Sequence, residues 1–388
     1  MQENKKIMIV DDSALMRRVF CDIINSIDGF EVVKTCKDGV EALEALQSGE
    51  HYDAMFLDVE MPRMDGIRLL MEIQDRNIKI TTLMASSYTT ENADITIRCM
   101  ELGAIDFVAK PHDISKLKTA QYRAKIETML KVVSASDISK IKVNTERTGS
   151  VQDRYDAVMA NMSDSKHRRE MADKAVVSGR AQAVSPVVRP SAAGGNKIIA
   201  LACSTGGPKS LQSVIPYLNK AMDAPCVLVQ HMPVGFTRSL AERLNEISAV
   251  EVSEAVDGEV LQKGHVYIAP GGKHLEVVAE AGGIHRVRLN EKPAIGGLRP
   301  CANVMYKSLS NSKYDEIVCV VLTGMGADGT EGIKELSGNK KIYVISQDAK
   351  TSIVYGMPKA IAETGLPNEV LPLDKIAEAV VKRVGLRV

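Results

Sequence analysis

The chain has no excess charge of either sign: 49 Lys and Arg balance 49 Asp and Glu among 388 residues. No overall field therefore draws it toward nucleic acid or anionic lipid. Long apolar runs are also missing. The longest, such as Ile198–Cys203, fall far short of the ~20 residues a membrane-crossing helix needs. The start, Met1-Gln2-Glu3-Asn4-Lys5-Lys6, leads straight into the strand-like Ile7–Val10 with no apolar signal region. The seven cysteines are odd in number and scattered, without CxxC pairs or His-Cys ligand spacing, so buried reduced thiols are expected. There is no solenoid-period repeat, no GxSxG elbow and no Walker lysine. These absences predict a cytoplasmic protein with no nucleic-acid partner and no membrane insertion.

What is present reads as two α/β units. Hydrophobic residues at 45% and charged residues at 25% are ordinary for a globular chain, and this length exceeds one core. Over residues 1–130, strand-like runs (Lys6–Val10, Glu31–Thr35, Ala54–Leu57, Ile80–Ala85, Asp106–Val108) alternate with helical stretches such as Ala14–Ile27 and Val40–Gln47. That order predicts a parallel sheet covered on both faces. Residues 131–195 lose the pattern and read as a flexible linker; Asp153–Val177 is helix-compatible but polar, with no strong apolar face. Residues 196–388 resume the alternation, with strands at Lys197–Ala202, Cys226–Gln230, Gly264–Ile268, Ile317–Leu322 and Lys341–Ile345. A hairpin is expected around Gly282-Gly283.

In the first unit, Asp11 and Asp12 end one predicted strand and Asp58 ends another. Carboxylates converging at the carboxyl edge of a parallel sheet repel unless a cation joins them, and hard oxygen ligands suit Mg²⁺. Ser86 and Lys110 close two further strands. Asp58 can then attack a phosphoryl donor while Lys110 and the Ser86 hydroxyl bind the transferring oxygens. With Asp58-Val59-Glu60-Met61-Pro62-Arg63-Met64-Asp65-Gly66 and Gly103–Pro111 added, residues 5 to about 125 resemble a response-regulator receiver domain. The resemblance implies a flavodoxin-like five-stranded parallel sheet and phosphorylation of Asp58. It also implies Mg²⁺ on Asp11, Asp12, Asp58 and the Glu60 backbone carbonyl, and Phe107 at the aromatic switch position.

In the second unit, Ser204, His231 and Asp328 each lie just past a predicted strand. Singly, each has a plainer reading as a cap or turn residue. Together at one sheet edge they are a nucleophile, a general base and an orienting acid. The glycines after Ser204 allow close backbone approach, and the following helix start aims N–H groups at an oxyanion. With Ser204-Thr205-Gly206-Gly207-Pro208, Gln230-His231-Met232-Pro233, Leu322–Gly329, Ser346-Gln347-Asp348 and Tyr355-Gly356-Met357-Pro358, residues 196 to 386 resemble the catalytic domain of the chemotaxis protein-glutamate methylesterases. That implies a doubly wound, mostly parallel α/β domain bearing a β-hairpin, with Thr205 and Met325 near the oxyanion.

The resemblance further implies hydrolysis of glutamate γ-methyl esters on the cytoplasmic helices of chemoreceptors, with glutamine deamidation by the same chemistry and no cofactor for the ester step. A chemotaxis histidine kinase would be the phosphodonor, and the unphosphorylated receiver would cover the hydrolase site. The competing reading is a regulated receptor-binding adaptor whose hydrolase site serves another target. Three positions depart from the family pattern: Cys203 replaces a small residue, and Cys301 and Asn303 stand where Ser and Asp are commoner.

Overall fold

The computed structural model describes residues 3–87, 89–110, 119–135, 150–160, 162 and 196–387. The first unit is a parallel sheet in the order β2-β1-β3-β4-β5, built from β1 (Lys5–Val10), β2 (Phe30–Cys36), β3 (Ala54–Asp58), β4 (Thr81–Ser87) and β5 (Asp106–Lys110). All five residues of β3 are buried, as a central strand covered on both faces requires. Helices α1 (Ala14–Ile24), α2 (Gly39–Gln47), α3 (Gly66–Asp75), α4 (Thr90–Glu101) and α5 (Ala120–Ala135) connect and flank the strands. Side chains cap the first three: Ser13, Asp38 and Asp65 accept N–H groups of the opening turns, which would otherwise lack partners.

Most of residues 131–195 lie outside the described residues, so the expected flexible linker falls largely there. Two parts are described. Helix α5 runs on to Ala135, and residues 151–160 form a further helix, α6. Expecting a polar stretch without an apolar face misses α6's packing. Val151, Tyr155, Val158 and Met162 recur at helical spacing and pack on a hydrophobic cluster that includes Leu70 and Met71 of α3. The Tyr155 hydroxyl donates to Asp65, and Arg154 meets Asp75 at 2.6 Å. The stripe is only four residues wide and interleaved with charge, which hides it in sequence.

The second unit has a seven-stranded sheet in the order β14-β13-β12-β6-β7-β9-β8. Its strands are β6 (Lys197–Cys203), β7 (Cys226–Gln230), β8 (Glu251–Glu254), β9 (His265–Ile268), β12 (Glu316–Val321), β13 (Ile342–Gln347) and β14 (Glu369–Leu371). All adjacent pairs are parallel. The predicted hairpin is β10 (His274–Ala279) with β11 (His285–Asn290). The edge strands β8 and β14 escape prediction because they are short and half polar. Flanking helices are α7 (Gly207–Gln212), α8 (Phe236–Ile247), α9 (Ala302–Ser308), α10 (Thr330–Asn339), α11 (Met357–Ala362) and α12 (Leu373–Val384). The chain leaves β6 toward β7 on one side and returns to β12 on the other, which opens a crevice at the carboxyl ends of these three strands. Six cysteines are buried; Cys21 is half-buried, contrary to expectation. No helix among the described residues is long and apolar enough to cross a membrane.

If α6 is held by its stripe, Tyr155→Ala removes both an apolar anchor and a hydrogen bond, at a cost of about 2–4 kcal/mol. Amide exchange in residues 151–160 should accelerate while β6, β7 and β12 keep their protection. Unchanged exchange in α6 would mean that the stripe does not anchor it.

Candidate active site

At the carboxyl ends of β1 and β3, Asp11, Asp12 and Asp58 offer carboxylate oxygens all within 4.8 Å of one another. Lys110 Nζ reaches over from β5 to both Asp11 Oδ2 and Asp58 Oδ2, each at 2.7 Å. The Val59 N–H donates to Asp58 at 2.8 Å, and the Ser13 N–H to Asp11 at 2.9 Å. Burial pushes the Asp58 carboxyl up; Lys110 pulls the other way and Asp11 adds to the rise, leaving it at about 7. Burial raises Asp11 as well, against Lys110. Burial thus outweighs the Lys110 ammonium at both carboxylates. A hard oxygen-donor set with surplus negative charge fits a divalent cation such as Mg²⁺. Glu60 stands exposed two residues past Asp58. Ser86 is fully buried, and its hydroxyl turns away into α4, accepting from Thr96 at 2.8 Å.

In the second unit, Ser204 follows β6, His231 follows β7, and Asp328 lies on the loop between β12 and α10. His231 Nε2 and Asp328 Oδ2 are 2.8 Å apart, with side chains 9% and 6% exposed. Burial alone would raise the Asp328 carboxyl, but the His231 bond and charge, with the Ala302 and Asn303 N–H donors, hold it down at about 2. This pairing leaves Nδ1 as the ring nitrogen that Asp328 does not engage. Among the described residues the Ser204 hydroxyl has no hydrogen bond, to His231 or any other group.

The serine backbone is held tightly. Ser204 N donates to the Thr323 carbonyl at 3.0 Å, and the Ser204 carbonyl accepts from Gly207 N at 2.7 Å and Gln230 Nε2 at 3.0 Å. Gly324 must be glycine here, since a Cβ would come within 2.8 Å of the Ser204 Cβ. Among the described residues, the Thr205 and Met325 N–H groups carry no hydrogen bond, which suits donors for a transient oxyanion. Helix α7 is only six residues long and begins after Gly206 at φ 75°.

A set of partners that sequence reasoning missed lies across the two units. Gly206 N donates to the Ile105 carbonyl at 3.2 Å, and the Thr205 hydroxyl donates to Asp106. Burial raises the Asp106 carboxyl, while Thr205, the Phe107 N–H and the His231 charge oppose the rise. Phe107 stacks on Phe236 with ring centroids 4.3 Å apart. Glu101 at the end of α4 accepts from Arg243 and, at 3.1 Å, from Gln212; its carbonyl accepts from Lys209 at 2.7 Å. Arg98 meets Glu246 at 3.3 Å. The α4–β5 face of the first unit thus lies directly on the Ser204 turn. Thr205 and Phe107 of this set are named from the sequence for other roles; Asp106, adjacent to Phe107 in the same motif, is the further member that the sequence could have flagged.

Residues 199–380 match the CheB methylesterase family, and residues 7–121 match the response regulator receiver domain. A protein-glutamate methylesterase/protein-glutamine glutaminase of Geobacillus kaustophilus (strain HTA426) is 40% identical over 382 residues, covering 98% of this chain and 99% of that protein. One of the same name from Pyrococcus horikoshii is 40% identical over 381 residues, 98% of this chain and 93% of that protein. The crystal structure of the Thermotoga maritima CheB methylesterase catalytic domain shares 42% identity; it covers 48% of this chain and 98% of its own, with TM-score 0.46.

The raised Asp58 carboxyl makes a signed prediction. With a folded pKa of about 7 against about 3.9 unfolded, the native state holds this proton more tightly, so stability falls as pH rises through that interval. In EDTA, the urea midpoint of wild type should drop relative to Asp58→Asn between pH 4 and 7. A constant difference would show that Asp58 is not under this strain.

Proposed function

The chain belongs to the CheB methylesterase family, and we propose that it hydrolyses glutamate γ-methyl esters on chemoreceptors under control of Asp58 phosphorylation. The observation that carries the reading is the buried 2.8 Å His231–Asp328 pair, set at the same sheet edge as Ser204. Asp328 fixes the imidazole with its Nε2 proton inward, so Nδ1 is the base. His231 takes the Ser204 proton as Oγ bonds the ester carbonyl carbon, and the oxyanion accepts from the Thr205 and Met325 N–H groups. Collapse breaks the acyl–OCH₃ bond, and His231 returns the proton to release methanol. Water, deprotonated by His231, then cleaves the acyl-serine and leaves a glutamate carboxylate. A glutamine amide follows the same course with ammonia as the leaving group.

The receiver pocket supplies the control. Asp58 is the phosphoryl acceptor, with a chemotaxis histidine kinase as donor in the cytoplasm. Mg²⁺ held by Asp11, Asp12, Asp58 and the Glu60 carbonyl would offset charge on the transferring group. Lys110 and Ser86 would bind the phosphoryl oxygens. Both are tied to the covering face: Lys110 ends the strand that carries Asp106 and Phe107, and Ser86 is bonded to α4, which carries Arg98 and Glu101. Drawing Ser86 and Lys110 toward a phosphoryl group strains that face, and the equilibrium shifts toward an exposed Ser204. In this reading residues 1–130 are the receiver, 131–195 the linker and 196–388 the esterase.

Methanol release from methylated chemoreceptor membranes tests the chemistry. Ser204→Ala should lower the rate by at least about 10³-fold; release undiminished by that change would overturn the assignment. For the cover, Glu101→Ala removes the acceptor of Arg243 and Gln212. A loss of about 1–2 kcal/mol from the closed state should raise the rate without phosphodonor about 5- to 30-fold. A basal rate equal to wild type would show that the α4 contacts do not restrain the enzyme.

A further inference from the structure

The carboxylate of Asp328 is held by more than His231. Asp328 Oδ2 accepts from Ala302 N at 2.6 Å; Oδ1 accepts from Asn303 N at 3.0 Å and from the Cys301 thiol at 3.1 Å. Oδ1 also accepts from Gly329 N at 3.0 Å. That same Gly329 N–H is shared with the Asn303 side-chain oxygen at 3.1 Å, which in turn accepts from Gly332 N at 2.7 Å. Asn303 thus acts twice. Its backbone holds the acid, and its side chain ties the turn carrying that acid to the first turn of α10.

We propose that Asn303 and Cys301 are positioning residues for the Ser204–His231–Asp328 reaction, and that the neutrality of Asn303 sets the pH range in which His231 works as a base. The inference rests on the esterase reading above and extends it to two residues outside the triad. A carboxylate at position 303 could still accept from Gly329 and Gly332, so the geometry of the turn would survive. It would also place a second negative charge around an N–H that Asp328 already uses. That charge would favour the imidazolium, and His231 would give up its proton only at higher pH.

The other ionisable groups around the acid are accounted for. Cys301 is pushed up to about 12 by burial and the Asp328 charge, and Tyr306 of α9 lies well above its ordinary value through burial. Both stay neutral through the working range. Asp106 faces His231 from β5 of the receiver and is unchanged in each variant below, so those variants isolate position 303.

The test uses the full chain with phosphodonor, reading methanol release against pH alongside the ring-carbon NMR signal of His231, assigned by its loss in His231→Gln. Asn303→Asp should move the acid limb of kcat/KM and the NMR midpoint upward together by about 0.5–1 pH unit. Below the limb the rate should fall about 3- to 10-fold, with little change above it. Asn303→Ala adds no charge; it should lower the rate at every pH and leave the limb in place. Cys301→Ser keeps a donor and should stay within about twofold of wild type, whereas Cys301→Ala should lose severalfold in kcat at unchanged KM. Superimposable profiles for wild type and Asn303→Asp would overturn the proposal, as would equal displacement in Asn303→Ala and Asn303→Asp. Equal rates for Cys301→Ser and Cys301→Ala would overturn the part assigned to the thiol. If no protein releases methanol, the ester reading falls, and the NMR midpoint alone decides the role of Asn303.

Discussion

Parallel strands end together, so side chains placed just beyond them meet at one sheet edge however far apart they lie in sequence. Both halves of this chain depend on that constraint. In the receiver half it gathers Asp11, Asp12, Asp58 and Lys110 from three strands. In the esterase half it gathers Ser204, His231 and Asp328 from three strands on both sides of the crevice. Each gathering concentrates charge in a buried place, where like charges strain one another and unlike ones pair strongly. The raised Asp58 and the depressed Asp328 are opposite results of that one arrangement. At the first, burial outweighs the single Lys110 ammonium; at the second, a histidine and four further donors outweigh burial.

The two edges are joined by β5. This short strand carries Asp106 and Phe107 at its start and Lys110 at its end. Its start meets the Ser204 turn at Thr205 and the start of α8 at Phe236, Ile105 just before it accepts from Gly206, and its end grips Asp58. Helix α4 runs beside it, tied to Ser86 at one end and to Arg243 at the other. Events at Asp58 are therefore one strand's length from the cover over the esterase site.

Much of this was legible in sequence because the reactive residues sit next to strong strand signals. Ile7–Val10 before Asp11 and Ile198–Cys203 before Ser204 are apolar runs that announce a buried strand and its edge. The edge strands of the second sheet were not legible: Glu251–Glu254 is half polar, and within the sheet it pairs with β9 alone. The cradle of Asp328 was hidden for another reason. Cys301, Ala302 and Asn303 lie 25 to 27 residues away along the chain, and two of their contacts are made by backbone N–H groups, which leave no signature in residue type. The contacts between the units were hidden most completely, since Glu101 or Arg243 alone is an ordinary charged helix residue. Only three-dimensional placement makes each the other's partner.

The central claim is that phosphorylation at Asp58 uncovers the esterase edge by loosening the α4–β5 face. Hydrogen exchange of the full chain, with and without a small phosphodonor and Mg²⁺, reads this directly. The claim predicts that residues 101–107, 205–212 and 236–246 lose protection together on phosphorylation, while the strands of both sheets away from that face keep theirs. Protection unchanged in those three segments, in protein shown by mass to be phosphorylated at Asp58, would contradict it.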